Sequence, residues 1–330
     1  MKKILSLLII GFLVTSCFKE DKLIGRQLVK EEVGRVDMVA EDGVDYPRQI
    51  YFDLSTNQAR AFNYRDSWDL AFGCQPENPN ISTNPSLLMQ VAATGSSEWG
   101  KNFNTAVYRF SYERADRFLH EAHLAADFEG TVPKGEVFIL DMGRNLKNQA
   151  RGFKLLQITS YDGKAYQVRV ANLDHSSELS FTVPLDETYN FVYLSLSDPD
   201  QVMKLEPPKE EWDLWFTKYM ERLYDGSDTL DYSVTGCLIN PYRTSAALYT
   251  DSLPFEQVTL QNADLSLLSG RSSGIGHDWK FYDLEEGYKV LDKRVYLVQD
   301  PAGVNYKMSF TGFHDEASRK GAVTFKFIPL

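Results

Sequence analysis

One pentapeptide pattern occurs twice in this chain, as Trp68-Asp69-Leu70-Ala71-Phe72 and as Trp212-Asp213-Leu214-Trp215-Phe216. Each copy follows a strand-like run, Ile50–Ser55 before the first and Phe191–Ser197 before the second. Further short segments then answer one another in the same order: Val137–Leu140 with Val295–Val298, Phe153–Leu155 with Tyr306–Met308, Thr159–Tyr161 with Thr311–Phe313, and Ala165–Arg169 with Ala322–Lys326. Recurrence in a fixed order constrains a fold more than any single motif, because each copy has to bury the same apolar positions. The pattern predicts two tandem units, over 45–185 and 186–330, with 18–44 as a tether.

Within each unit the local signal is β. Gln167–Val170 and Thr324–Phe327 alternate polar and apolar residues, the period of a half-buried strand. The 18 Tyr and 20 Phe favour strands, and Asp162-Gly163, Asp225-Gly226 and Asp300-Pro301-Ala302-Gly303 punctuate them as turns. The fold class expected is therefore mainly β, antiparallel, with few helices. If Trp68–Phe72 is all strand, Trp68, Leu70 and Phe72 share one face. Trp68 is then a core anchor whose burial contributes on the order of 3 kcal/mol. One segment departs from the β pattern. Tyr112–Ala126 has no Gly or Pro and places Ala115, Phe118, Leu119, Ala122 and Ala126 at helical spacing, so a helix capped by Ser111 is expected in the first unit.

The chain begins MKKILSLLIIGFLVTSC. Two lysines, a short apolar run and small residues before Cys17 have the order of a bacterial lipoprotein signal, so residues 1–17 are read as a leader ending at a lipobox. A plain signal peptide with a chance cysteine is the alternative. In the lipobox reading Cys17 carries acyl chains, each buried methylene adding ~0.8 kcal/mol of membrane affinity, and the protein is held at a membrane by lipid. Phe18-Lys19-Glu20-Asp21-Lys22 resembles the export tract of surface lipoproteins, or is simply a solvated tether. Cys74 and Cys237 remain, and an extracytoplasmic location permits a disulfide between them; two buried free thiols are the other outcome.

With 35 Lys and Arg against 46 Asp and Glu the net charge is -11, and no basic cluster overrides it, which argues against nucleic acid as a partner. Enzyme signals are weak. Gly270-Arg271-Ser272-Ser273-Gly274 matches G-x-S-x-G, but that chemistry needs a strand before the serine and a helix after it. No P-loop, H-E-x-x-H, dinucleotide fingerprint or zinc spacing is found. The chain is expected not to be an enzyme.

Taken together, the lipobox, the aromatic strand, W-D-L-x-F, a variable middle, Val295–Asp300 (VYLVQD), Tyr306–Phe313 (YKMSFTGF) and the closing Val323–Phe327 (VTFKF) resemble the HmuY-like lipoproteins of Bacteroidetes. The second unit carries the resemblance best, over 190–330, and the first more loosely. The resemblance implies an almost all-β fold and anchorage at the outer membrane or cell surface. It also implies capture of haem between two axial ligands from the variable middle, and transfer to a TonB-dependent receptor. That middle corresponds here to about 75–135 and 237–294. A non-catalytic accessory subunit of an outer-membrane complex is the competing function.

Haem requires axial donors and an apolar slot. His277 lies in Gly274-Ile275-Gly276-His277-Asp278-Trp279, beside an aromatic residue and a glycine pair, and is the first ligand candidate; a surface loop histidine is the alternative. His120 and His123, three residues apart, form a second candidate pair, with a solvated pair as the alternative. His175 and His314 sit in polar turn contexts, Met89 and Met220 are expected in the core, and Arg243 is a candidate for meeting an anion.

Overall fold

The computed structural model describes residues 30–115, 122–197, 202–226, 228–251 and 253–330. Cys17, His120, and the leader and early tether lie outside these residues. Among the described residues, twenty-three strands follow in chain order. The first nine are β1 (Glu32–Asp37), β2 (Arg48–Asp53), β3 (Gln58–Tyr64), β4 (Leu70–Gly73), β5 (Ile81–Thr83), β6 (Gln90–Ala93), β7 (Ser111–Tyr112), β8 (Phe128–Glu129) and β9 (Val132–Pro133). Then come β10 (Val137–Asp141), β11 (Phe153–Tyr161), β12 (Ala165–Asn172), β13 (Leu179–Pro184), β14 (Phe191–Leu194), β15 (Val202–Met203), β16 (Leu214–Asp225) and β17 (Asp228–Ile239). The last six are β18 (Ser245–Leu248), β19 (Lys280–Asp283), β20 (Gly287–Val290), β21 (Tyr296–Gln299), β22 (Asn305–His314) and β23 (Lys320–Pro329). Every ladder is antiparallel, and the only helical turns among the described residues are short 3-10 segments. The mainly β, antiparallel expectation is what the structure has.

The sheets expose the internal correspondence. One is ordered β1-β23-β22-β21-β18 and another β13-β12-β11-β10-β6-β7. Two four-stranded sheets are ordered β17-β16-β2-β3 and β15-β14-β4-β5. Exchanging β1 with β13, β2 with β14, β4 with β16 and β10–β12 with β21–β23 maps each sheet onto its counterpart. The bulges agree as well: the ladder skips Thr159 in β11 and Thr311 in β22, the threonines already matched by sequence. The strands are interleaved, however. β2 pairs with β16, β4 pairs with β14, and Glu31–Leu330 is one compact unit, so no cut at residue 185 leaves either side its own complete sheets.

Burial follows the pleat. β12 and β23 alternate buried and half-buried positions, as expected for sheets with one face on a core. Leu70, Phe72, Val192 and Leu194 pack with β10–β12 in a first core, and Leu214, Phe216, Ile50 and Phe52 pack with β21–β23 in a second. The opposite faces of the two four-stranded sheets meet in a third, aromatic core of Tyr51, Trp68, Tyr193, Trp212 and Trp215. There the Tyr51 and Tyr193 hydroxyls, equivalent residues of β2 and β14, lie 3.5 Å apart. The outer faces of the larger sheets are also covered: Phe103 packs on Val137 and Ile139, and Phe255 on Val295 and Leu297.

Several expectations need correction. Trp68 does not share the face of Leu70 and Phe72. The strand begins only at Leu70, so period-two alternation does not reach back to Trp68, which enters the aromatic core instead. Cys74 and Cys237 are free thiols in different cores, and burial pushes the Cys74 thiol up to about 12 and the Cys237 thiol well above its ordinary range. The expected helix over 112–126 is absent at both described ends. Ser111–Tyr112 is strand, Ala122 is extended, and His123–Asp127 is 3-10; the stretch 116–121 is outside the described residues. The apolar periodicity loses there to tertiary bonds: Ala115 N–H donates to Met220 O of β16 at 3.0 Å.

Candidate functional site

His123 opens the 3-10 turn 123–127, which is fixed from below by Leu124, fully buried in the first core. Its partner is Glu113, ten residues earlier and itself fully buried. Glu113 Oε1 accepts the His123 backbone N–H at 2.6 Å and lies 2.9 Å from Nδ1 of the ring. With the carboxylate oxygen accepting, the ring's proton sits on Nδ1. The ring's Nε2 then carries the free lone pair, and the side chain keeps 25% of its exposure. A carboxylate holding Nδ1 of a histidine is the arrangement that fixes the orientation of a metal-ligating imidazole. Among the described residues Glu113 Oε2 has no hydrogen-bond partner, so the carboxylate has capacity in reserve. The turn's far end is tied by Asp127, which accepts the Gly135 and Glu136 backbone N–H groups at 3.2 and 2.9 Å.

His277 has the opposite surroundings. The loop before it lies along β17, where Cys237 N–H donates to Gly276 O at 2.9 Å and Gly276 N–H donates back at 3.0 Å. This approach requires Gly236, since a Cβ there would stand 2.5 Å from Gly276 O. His277 is half-buried, and burial, then the nearby Lys280, push its imidazole below the ordinary value. Lys280 is itself buried, with Nζ 4.2 Å from the Trp279 ring and 5.0 Å from that of Phe313, and it donates to Thr235 O. Burial lowers its amine to about 7. His277 thus has an amine beside it where His123 has a carboxylate. His277 and His123 adjoin different cores, and no group of three His, Cys, Asp or Glu side chains arranged for a metal is found among the described residues.

The other candidates are structural. His175 is in a left-handed turn with Nε2 3.1 Å from Lys101 O, and His314 ends β22 in solvent. Met89 and Met220 are buried. Ser272 is buried in the loop along β17, where Ile239 N–H donates to Ser272 O at 2.9 Å, and it has neither a strand before it nor a helix after it. Sequence reading missed Glu113, which lies in the stretch read as a helix. It also missed a group of cations. Arg65, Arg144 and Lys218 line a cleft of about 320 Å³ between the 43–45 turn, the 3-10 turn Pro85–Leu87 and the 144–148 loop.

No protein-family model matches the sequence, and no curated protein matches it. Solved structures do show similarity. Apo PinO from Porphyromonas gingivitis has TM-score 0.32 and 9% identity, covering 91% of this chain and 97% of that one. The apo HmuY analog of Tannerella forsythia has TM-score 0.31 and 10% identity over the same shares, 91% and 97%. An HmuY-like haem-binding protein of Bacteroides vulgatus has TM-score 0.23 and 10% identity, covering 90% and 91%. At these values the reading of the site falls to this chain's own residues.

Proposed function

We propose that this protein is a non-catalytic haem-binding lipoprotein, anchored through acylated Cys17 at the outer membrane and cell surface, that passes haem to a TonB-dependent receptor. The observation that carries the reading is the His123–Glu113 pair: a buried carboxylate fixes Nδ1 and leaves Nε2 as a strong, partly exposed donor. His123 would hold the haem iron through Nε2, and His120, three residues before it, is the candidate for a second ligand. Haem when bound supplies the iron that the receptor system takes up, and the chain's part is to hold and orient it.

The test is a haemin titration of the chain from residue 18 onward, which contains the whole compact unit 31–330. A red-shifted Soret band is expected in the native chain, lost in His123→Ala, weakened in Glu113→Gln and retained in His277→Ala. An unchanged haemin spectrum with the native chain, or the same band in His123→Ala, refutes the proposal. An accessory-subunit reading draws on the β16–β17 hairpin, where Tyr224, Leu230 and Tyr232 stand 76%, 62% and 54% exposed. Native purification of the tagged lipoprotein with no receptor or porin attached would count against that alternative.

A further inference from the structure

The cleft lined by Arg65, Arg144 and Lys218 is unusual in an acidic chain of net charge -11, because Arg65 and Lys218 make no ion pair among the described residues. Arg65 is only 7% exposed. Its Nε donates to Tyr46 O at 3.1 Å and its Nη1 to Ser86 O at 2.6 Å, which leaves Nη2 without a partner among the described residues. Lys218 is half-buried on β16, and its Nζ makes no hydrogen bond or ion pair among the described residues. The charged groups that face it are Arg65, Asp45 and Lys320, and Asp45 is already held by Lys320 at 2.8 Å. Burial, then Arg65, lower the Lys218 amine, and burial lowers the Arg65 guanidinium. Arg144 completes the rim, its Nη1 donating to Asn148 O at 2.9 Å.

The walls are fixed in place. Arg144 N–H donates to Leu87 O at 2.7 Å, and Gly143 permits that approach, since a Cβ there would fall 2.1 Å from the same oxygen. Asn145 Oδ1 accepts both Lys147 and Gln149 N–H, at 3.0 and 2.9 Å, so the loop is a closed turn. The arrangement holds like charges together in a part-buried cavity, at a cost that a bound anion would offset.

We propose that this cleft is a binding site for a small oxyanion, a phosphate or carboxylate group, taken by Arg65 Nη2, Lys218 Nζ and the Arg144 guanidinium. Two or three charge-assisted hydrogen bonds are available to it, in the geometry that guanidinium groups offer oxyanions. The site is separate from His123 and does not depend on haem being the ligand there.

The test is calorimetric titration of the chain from residue 18 onward at low salt, with inorganic phosphate in one arm and succinate in the other. Saturable binding of either probe is expected, phosphate alone marking a phosphoryl ligand and succinate alone a carboxylate. Lys218→Gln and Arg144→Gln should each weaken it about tenfold, the scale of one lost charge-assisted bond. Arg243→Gln, at the corresponding corner of the other half, should leave it unchanged, and haemin spectra of the Lys218 and Arg144 variants should match the native one. Near-UV circular dichroism checks that each variant is folded. Absence of saturable binding by both probes, or undiminished binding in folded Lys218→Gln, overturns the proposal.

Discussion

Asp69 and Asp213 occupy matching places in the two interleaved halves. Each backbone N–H donates to the strand beside it, to Leu194 O and Phe52 O respectively, both at 2.9 Å. Each Oδ2 accepts the N–H two residues further along that strand, from Leu196 at 2.7 Å and from Leu54 at 2.6 Å. Asn84 and Asn240 close both corners, their amides donating to Trp68 O and Trp212 O. The backbone plan is thus the same, but the charge is handled differently. Asp69 meets Arg151 at 2.7 Å. Asp213, 3% exposed, has no cation partner among the described residues, and burial raises its carboxyl to about 7. The cationic cleft differs in the same way. Lys218 stands where the first half has Cys74 in a core, and Ser86 where the second has Tyr242, whose ring lies 4.9 Å from Lys209 Nζ. A repeated backbone scheme fixes where polar groups fall but leaves their compensation to each half.

That comparison can be broken most directly at the tryptophans. Trp68→Ala and Trp212→Ala should each cost about 3–5 kcal/mol, with similar denaturation midpoints, because both indoles anchor the shared aromatic core. A large cost for one and none for the other in urea melts would show that the halves do not bear on that core equally. Next in size is Arg151→Leu, expected to cost roughly 3 kcal/mol by leaving Asp69 buried and unpaired, with most of the loss recovered in the Arg151→Leu, Asp69→Asn double variant. Recovery is the diagnostic measurement, since a purely packing role for Arg151 predicts none.

The unpaired counterpart should behave in the opposite sense. A carboxyl raised to about 7 in the fold and near 3.9 in the unfolded chain binds more protons when folded. Its contribution is therefore fully present below about pH 4 and is lost as pH rises to about 7. Asp213→Asn should flatten the fall in melting temperature between pH 5 and pH 8 and stabilise by about 1 kcal/mol at pH 8. Glu206, raised to about 8 by burial, keeps its share of the slope. A melting temperature unchanged or lowered by Asp213→Asn at pH 8 would contradict this. The smallest effect concerns the thiols. Cys74 and Cys237, both buried, should be silent to a thiol reagent in the native protein and should both react after unfolding. Rapid labelling of either in the native state would place it outside its core.

The aromatic and alternating runs made the strands legible. Their side-chain period is local, and the sheet partners then bury the faces the pattern marks. Ser111–Ala126 misled because its apolar spacing is helical while its ends are claimed by β6, by Met220 and by the Glu113 carboxylate, none of them sequence neighbours of the positions they hold. His123 was visible as a candidate, but nothing in its neighbourhood marked Glu113 as its partner. Lys218 stands between Thr217 and Tyr219 on β16 with nothing in the local sequence to mark it. Its lack of a counter-charge appears only when the 43–45 turn, the 85–87 turn and the 144–148 loop are brought around it.

The order of residues alone determined the repeated strand pattern, including the match of Thr159 with Thr311, and its aromatic anchors, because those depend on local period and on which side chains must leave water. Tertiary structure decided that β2 and β14 cross to the opposite sheets, that the two cysteines enter separate cores, and which buried charges find a partner. Those outcomes depend on contacts between segments far apart in the sequence, which no local pattern encodes.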